Sequence, residues 1–457
     1  MRRVVVLVVG LLLAAPTLGF AGSATSRWDM TLGGFVKFDL VYADKAVGTD
    51  NRLSPVDSKG GYDRAGDSTD NLTWSGAETR LNWAVKGPDA WGAKTSAFVE
   101  GDFRAASSTR GTTNQGEFGL RHAFMQLTWP NTKLLIGHTW QAWGIIASQN
   151  RLAVSEQHFM RGTTRMPQIR LTQKLTKDFT AVAALEAPYD VLTTNNVGND
   201  PRANGLWPDV TLDFSYDSKA LGKIGTWALK IGVGGFYGKD KYANRPTGST
   251  KIHDETLDRY GASLYWYVPI IPEKKEGDKA MALGFTGTLF AGKGMATYLN
   301  GYTQKPASVT GYGTFTSYPG AYNRGRTSGG LTDQLITSNP SDFTTFDPAY
   351  YTTNGGWVQG TFYFTNKLFA NAIYGAEFNN ISKQFKASQT TSTSASGIAV
   401  PERIQNLTVN LLYDVNPAIR VGIEYAYVTT AYAYPETTTY ANNGSFNTLR
   451  VGAIYFF

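Results

Sequence analysis

The chain has 457 residues, no cysteine, 49 glycines and a formal net charge of +7, with only 17% charged residues. The lack of cysteine excludes disulfides and thiolate metal or redox centres. The positive charge is small for this length and forms no basic block, which argues against nucleic acid as a partner.

The N-terminus reads MRRVVVLVVGLLLAAPTLGFAGSA. Arg2 and Arg3 give a charged start, residues 4–15 an apolar run, and Pro16 a break; Gly19 and Ala21 are the small residues of a cleavage site. This order predicts a signal peptide over 1–21 and an exported chain over 22–457. The apolar run is shorter than the ~20 residues of a spanning helix, and no later segment approaches that length.

From residue 30 the pattern has period two. In MTLGGFVKFDLVY, Met30, Leu32, Val36, Phe38, Leu40 and Tyr42 share one parity, and Lys37 and Asp39 take the other. Successive strand side chains point to opposite faces, so one face is apolar and the other charged. AKTSAFVEGDFRA, VTLDFSY, TWALKIGVGGFY and AIRVGIEYAY repeat this. Sixteen such segments are expected, starting near residues 30, 72, 93, 117, 132, 166, 178, 208, 225, 257, 279, 355, 368, 403, 417 and 448.

The connections alternate in length. Short ones carry turn residues, as in KGPDAWG, WPNT, LTKD, TNK and DVNPA. Long polar ones fill 43–70, 140–165, 189–206, 238–255, 292–354, 379–400 and 430–447, with 105–116 intermediate. A soluble β-sandwich has no reason to gather its long loops at one end. An outer-membrane barrel has short turns at one end, long loops at the other and an even strand number. The reading is therefore an all-β fold: a transmembrane antiparallel β-barrel of about 16 strands in the outer membrane of a Gram-negative bacterium, in contact with membrane lipid and lipopolysaccharide. Closure follows, because an open edge in hydrocarbon would leave backbone groups unpaired.

Charged residues agree with two distinct faces. The basic ones are Lys37, Arg80, Lys94, Arg104, Arg170, Lys230, Arg259, Arg420 and Arg450. The acidic ones are Asp39, Glu78, Glu100, Asp102, Glu186, Asp213, Glu377 and Glu424. All lie opposite the apolar set, which predicts a nearly balanced polar lumen. The segment EFGLRHAFMQLTW resists: Arg121 shares parity with Ala123, Met125 and Leu127, so its direction, and that of His122, stays open. Aromatic residues gather near strand ends, among them Trp129, Trp266, Tyr267, Tyr425 and Tyr427, as expected at a membrane–water interface.

Enzymatic chemistry finds little support. The four histidines, His122, His138, His158 and His253, show no metal-binding spacing and no partnering serine motif. No cofactor, metal or catalytic residue is expected.

GGFVKFDLVY, ETRLNWAV, FVEGDF, LRHAFMQL and LLIGHTWQAWG occur in this order within the first third of the chain. Together they resemble the DcaP-like trimeric outer-membrane porins and, more loosely, the general sixteen-stranded porins. His138 stands where the family's motif usually has glutamine. The resemblance implies a homotrimer and a third loop folded into the pore. The candidate is the segment 140–165, where Trp143, Ile145, Ile146, Leu152 and Phe159 mix with Gln149, Arg151, Glu156, His158, Arg161 and Arg165.

The expected function is a water-filled channel for small hydrophilic solutes, with an anion or dicarboxylate preference. It would be lined by Lys37, Arg80, Lys94, Glu100, Asp102, Arg104, Arg151, Glu156, Arg161, Arg165 and Arg170. The alternative is a closed barrel serving as adhesin or scaffold through its loops. The last strand sets Leu449, Val451, Ala453, Tyr455 and Phe457 on one face and Arg450 and Gly452 on the other. It is expected to pair with the first strand. The spacing of Arg450, Gly452, Tyr455 and Phe457 resembles the signal read by the barrel-assembly machinery.

Overall fold

The computed structural model describes residues 28–45, 70–105, 117–143, 150–153, 165–187, 207–244, 253–295, 298, 321–324, 333–337, 348–350, 352–380, 401–432 and 441–457. The expected signal peptide, Glu156, His158, Arg161 and most of the long connections lie outside the described residues.

Twenty strands run in chain order. They are β1 (Asp29–Ala43), β2 (Asn71–Ser75), β3 (Arg80–Lys86), β4 (Lys94–Ala105), β5 (Glu117–Thr128), β6 (Thr132–Trp140) and β7 (Arg165–Lys174). Next come β8 (Phe179–Glu186), β9 (Asp209–Ile224), β10 (Trp227–Asn244), β11 (His253–Ile271) and β12 (Leu283–Lys293). Then follow β13 (Ala321–Arg324), β14 (Asp333–Thr337), β15 (Pro348–Tyr350), β16 (Thr352–Tyr363), β17 (Leu368–Asn380), β18 (Pro401–Asn416), β19 (Ile419–Tyr432) and β20 (Asn443–Phe456).

β13, β14 and β15 form a small separate sheet within the long connection after β12. The other seventeen join one antiparallel sheet. β2 and β3 are two pieces of one wall strand. Both pair with β1, from Ala43 opposite Asn71 to Asp39 opposite Ser75, then from Phe35 opposite Arg80 to Asp29 opposite Lys86. Residues 76–79 bulge out between the pieces, opposite Lys37. The lost ladder contact is replaced by the Lys37 amide, which donates to Thr79 Oγ1 at 3.1 Å. The wall thus has 16 strands. It closes where β20 pairs with β1, from Phe35 opposite Phe456 to Ala43 opposite Thr448. Phe457 continues the seam, exchanging backbone hydrogen bonds with Gly34.

The two faces are inverted relative to a soluble protein. Val36 is 53% exposed, whereas Lys37 beside it is 1% exposed. Leu212, Phe214, Val233, Leu407, Val409, Leu411, Val451 and Tyr455 are likewise exposed, whereas Asp213, Thr408, Asn410 and Arg450 are buried. Apolar side chains therefore cover the outside, and polar ones fill the inside, as hydrocarbon around the barrel requires.

Two local details refine the pattern. Glu100 pairs with His122 and Gly101 with Leu120, so Arg121 is an extra residue in β5. A bulge flips parity, and Arg121 and His122 are both buried while Leu120 and Met125 are exposed. This settles the direction that alternation leaves open. Tyr267, grouped with Trp266 at the rim, instead faces inward and is buried, because adjacent strand residues take opposite faces.

The short connections include the two residues between β9 and β10, where Gly225 has φ 59°, a left-handed conformation that suits glycine in a tight hairpin.

Candidate functional site: the inner wall and the loop across it

Strand alternation places a dense charged patch on the inner wall from β20 through β1 to β5. Asp39 accepts from Lys37 and, at 2.9 Å, from Arg450 Nη1. Lys37 also reaches Glu78, whose other oxygen accepts from Arg104 Nη1 at 2.6 Å. Arg121 spans two carboxylates, Glu100 at 2.8 Å and Asp102 at 2.5 Å, and Arg80 lies 4.0 Å from Glu100. Cross-strand register makes this possible: Arg80 stands opposite Asp102, and Asp39 opposite Gly452. A Cβ on Gly452 would come 2.7 Å from Asp39 Oδ1, so glycine there leaves room for the carboxylate. Buried charges persist when paired and hydrogen-bonded, and each carboxylate of this patch accepts from at least one lysine or arginine.

Beside the patch, Trp140 ends β6 between two guanidinium groups. Arg165 Cζ is 4.6 Å from its ring centroid and Arg121 Cζ is 5.6 Å away. His122 approaches the same ring edge-on at 5.1 Å, and its Nδ1 lies 2.8 Å from Thr139 Oγ1. Arg165 makes no ion pair or hydrogen bond with a side chain among the described residues, so the indole face is its main support. Arg170 is held by neutral groups, donating from Nε to Gln168 Oε1 at 2.8 Å and from Nη2 to the Trp140 carbonyl.

The segment 140–165 is described at 141–143 and 150–153, and both pieces rest on the inner wall. Trp143 is buried with Met166, Phe236, Phe290, Met295 and Tyr298. Further on, Glu424 of β19 holds the loop: Arg151 Nη2 donates to it at 3.0 Å, the Leu152 amide at 3.1 Å and the Ala153 amide at 3.3 Å. The Asn150 carbonyl accepts from Asn371 at 3.0 Å and from Asn410 at 3.1 Å. Leu152 packs with Ile224, Ala282, Tyr363, Phe369 and Leu412. The described loop residues therefore touch the β7–β12 wall and then the β16–β19 wall.

The site residues expected from sequence fall into distinct groups. Lys37, Arg80, Glu100, Asp102 and Arg104 share the charged patch. Arg165 and Arg170 adjoin it at Trp140. Arg151 is consumed by Glu424. Lys94 stands apart, its side chain 80% exposed and paired with Asp89 at 2.6 Å in the short connection after β3. Arg450 belongs to the patch, whereas Tyr455 and Phe457 lie on the exposed outer face. Sequence reasoning passes over Asn371 and Asn410, which the β17–β18 register sets opposite each other, and Tyr298, which the segment after β12 brings to Asp209; their types carry no signal by themselves. Among the described residues no group of three or more His, Asp or Glu is placed to hold a metal ion.

No family model and no curated protein matches the chain. Solved structures do. The outer-membrane channel DcaP of Acinetobacter baumannii is 17% identical, with 95% of this chain and 99% of that one covered and a TM-score of 0.64. The anion-selective porin from Comamonas acidovorans is 13% identical, with 94% and 100% covered and a TM-score of 0.52. The fold is therefore that of outer-membrane porins.

Proposed function

We propose that the chain forms a water-filled channel in the outer membrane for passive diffusion of small hydrophilic solutes, with a preference for anions that extends to dicarboxylates. The observation that carries this is the arginine group around Trp140. Arg80, Arg121 and Arg165 face two carboxylates, Glu100 and Asp102, and among the described residues Arg165 makes no ion pair with either. A planar guanidinium can bind a carboxylate through two parallel hydrogen bonds. Pores select through charged side chains at narrow points. In this reading the segment 140–165 forms the constriction, supported by its contacts with the inner wall at Trp143 and at Glu424. The DcaP likeness favours a homotrimer. Planar-bilayer reversal potentials in a salt gradient test the proposal: chloride is expected to outrun potassium, and Arg165→Ala to cut the permeability ratio about twofold, on the scale of one surface charge interaction. A cation-selective wild type would sink it.

A further inference from the structure

The segment after β12 supplies a residue to the lumen. Tyr298 has 0% exposure, and its ring lies 4.0 Å from Phe236 and 5.5 Å, edge-on, from Trp143. Its backbone amide closes a turn on the Met295 carbonyl at 2.8 Å, and Met295 packs into the same cluster. Glycine makes the recess: a Cβ on Gly261 would meet Met295 Sδ and Trp143 Cη2, each at 2.8 Å.

The Tyr298 hydroxyl donates to Asp209 Oδ2 at 2.8 Å and lies 3.5 Å from Glu186 Oε2. Asp209 and Glu186 are cross-strand neighbours on β9 and β8. Asp209 Oδ1 accepts from Arg259 Nη2 at 2.8 Å. Glu186 accepts from Thr211 Oγ1 at 2.6 Å and from the backbone amide of Ala142, which belongs to the 140–165 segment. One carboxylate pair therefore ties the wall, the start of the 140–165 segment and the start of the segment after β12.

We infer that Tyr298 is a positioning residue for the pore: it pins residues 141–143 to the wall formed by β8–β11 and thereby fixes one side of the bore. Two contacts act together. The ring covers Trp143, and the hydroxyl holds Asp209 beside the Glu186 carboxylate that binds the Ala142 amide. This role rests on the channel reading for its effect on current, but not for its effect on the loop. A second loop thus braces the first from inside the barrel, opposite the Glu424 anchor.

The test uses the full chain, as wild type, Tyr298→Phe and Tyr298→Ala, with amide hydrogen exchange read at Ala142 and single-channel current read in planar bilayers. Tyr298→Phe keeps the ring and loses only the hydroxyl. Exchange at Ala142 is expected to quicken about threefold in Tyr298→Phe and at least about tenfold in Tyr298→Ala, the scale of one and of several lost buried contacts. Amides in mid-strand, such as Val409, should stay unchanged. Open-channel current should rise and become noisier in both variants. Unchanged exchange at Ala142 in Tyr298→Phe, with Tyr298→Ala unchanged or unfolded, overturns the inference. A wild type that passes no current overturns the channel reading instead, and leaves the exchange result to decide on Tyr298.

Discussion

The inner wall from β20 through β1 to β5 is satisfied by charge, and the wall from β16 to β18 by amides. On the first, every carboxylate of the patch meets a lysine or arginine. On the second, Gln359 Nε2 donates to Asn371 Oδ1 at 2.9 Å, Asn371 Nδ2 to Asn410 Oδ1 at 2.7 Å, and Asn410 Nδ2 to Glu424 at 3.0 Å. An amide both donates and accepts, so such a chain can end on a loop carbonyl, as it does at Asn150. The charged patch is held the other way, each of its buried carboxylates meeting a counter-charge. The described turn of the 140–165 segment at 150–153 rests on the amide wall and on Glu424 of the neighbouring β19.

The difference should show in how each wall fails. Asp39→Ala strips both Lys37 and Arg450 of a shared carboxylate in a buried setting. It is expected to destabilise the barrel by ~3–5 kcal/mol, read as a lowered unfolding midpoint in denaturant titrations in detergent micelles. Equal stability would mean that water or a neighbouring acid takes over the two cations. Asn371→Ala breaks the amide chain and one support of the Asn150 carbonyl. The loss should be smaller, ~1–3 kcal/mol, and salt should hardly change it. If it exceeded the Asp39 variant, the ranking of charge over amide would be wrong. The least effect belongs to Lys94→Ala. Its ammonium is in water at a short connection, so the melting curve should superimpose on that of the wild type, and reversal potentials should be unaltered. A shift in selectivity would return Lys94 to the pore lining.

Much of the barrel was legible because strand alternation is a local property. The predicted strand starts match the wall strands within about five residues, from Asp29 to the seam at β20. Lys37 and Asp39 declared the inner face by parity alone, and Val36 and Phe38 the outer. Arg121 did not, because a single inserted residue in β5 reverses parity and leaves no mark in composition. The split of the second wall strand at residues 76–79 was hidden for the same reason. Arg151 illustrates a different limit: its charge and its place in the loop were visible, but not that Glu424, 273 residues away, would occupy it.

Local patterning is enough to give the strands one apolar and one polar face, to alternate long and short connections, and to match the last strand to the first. Period-two patterning and turn residues act over a few positions, and hydrocarbon outside the barrel penalises any strand that breaks them. Which charges meet depends on the closed wall. The Arg450–Asp39 hydrogen bond joins residues 411 apart, and the Ala142, Glu186 and Tyr298 contacts unite three separate segments. Such neighbours are set by closure and register, which bring distant inner-facing residues together once the wall has formed.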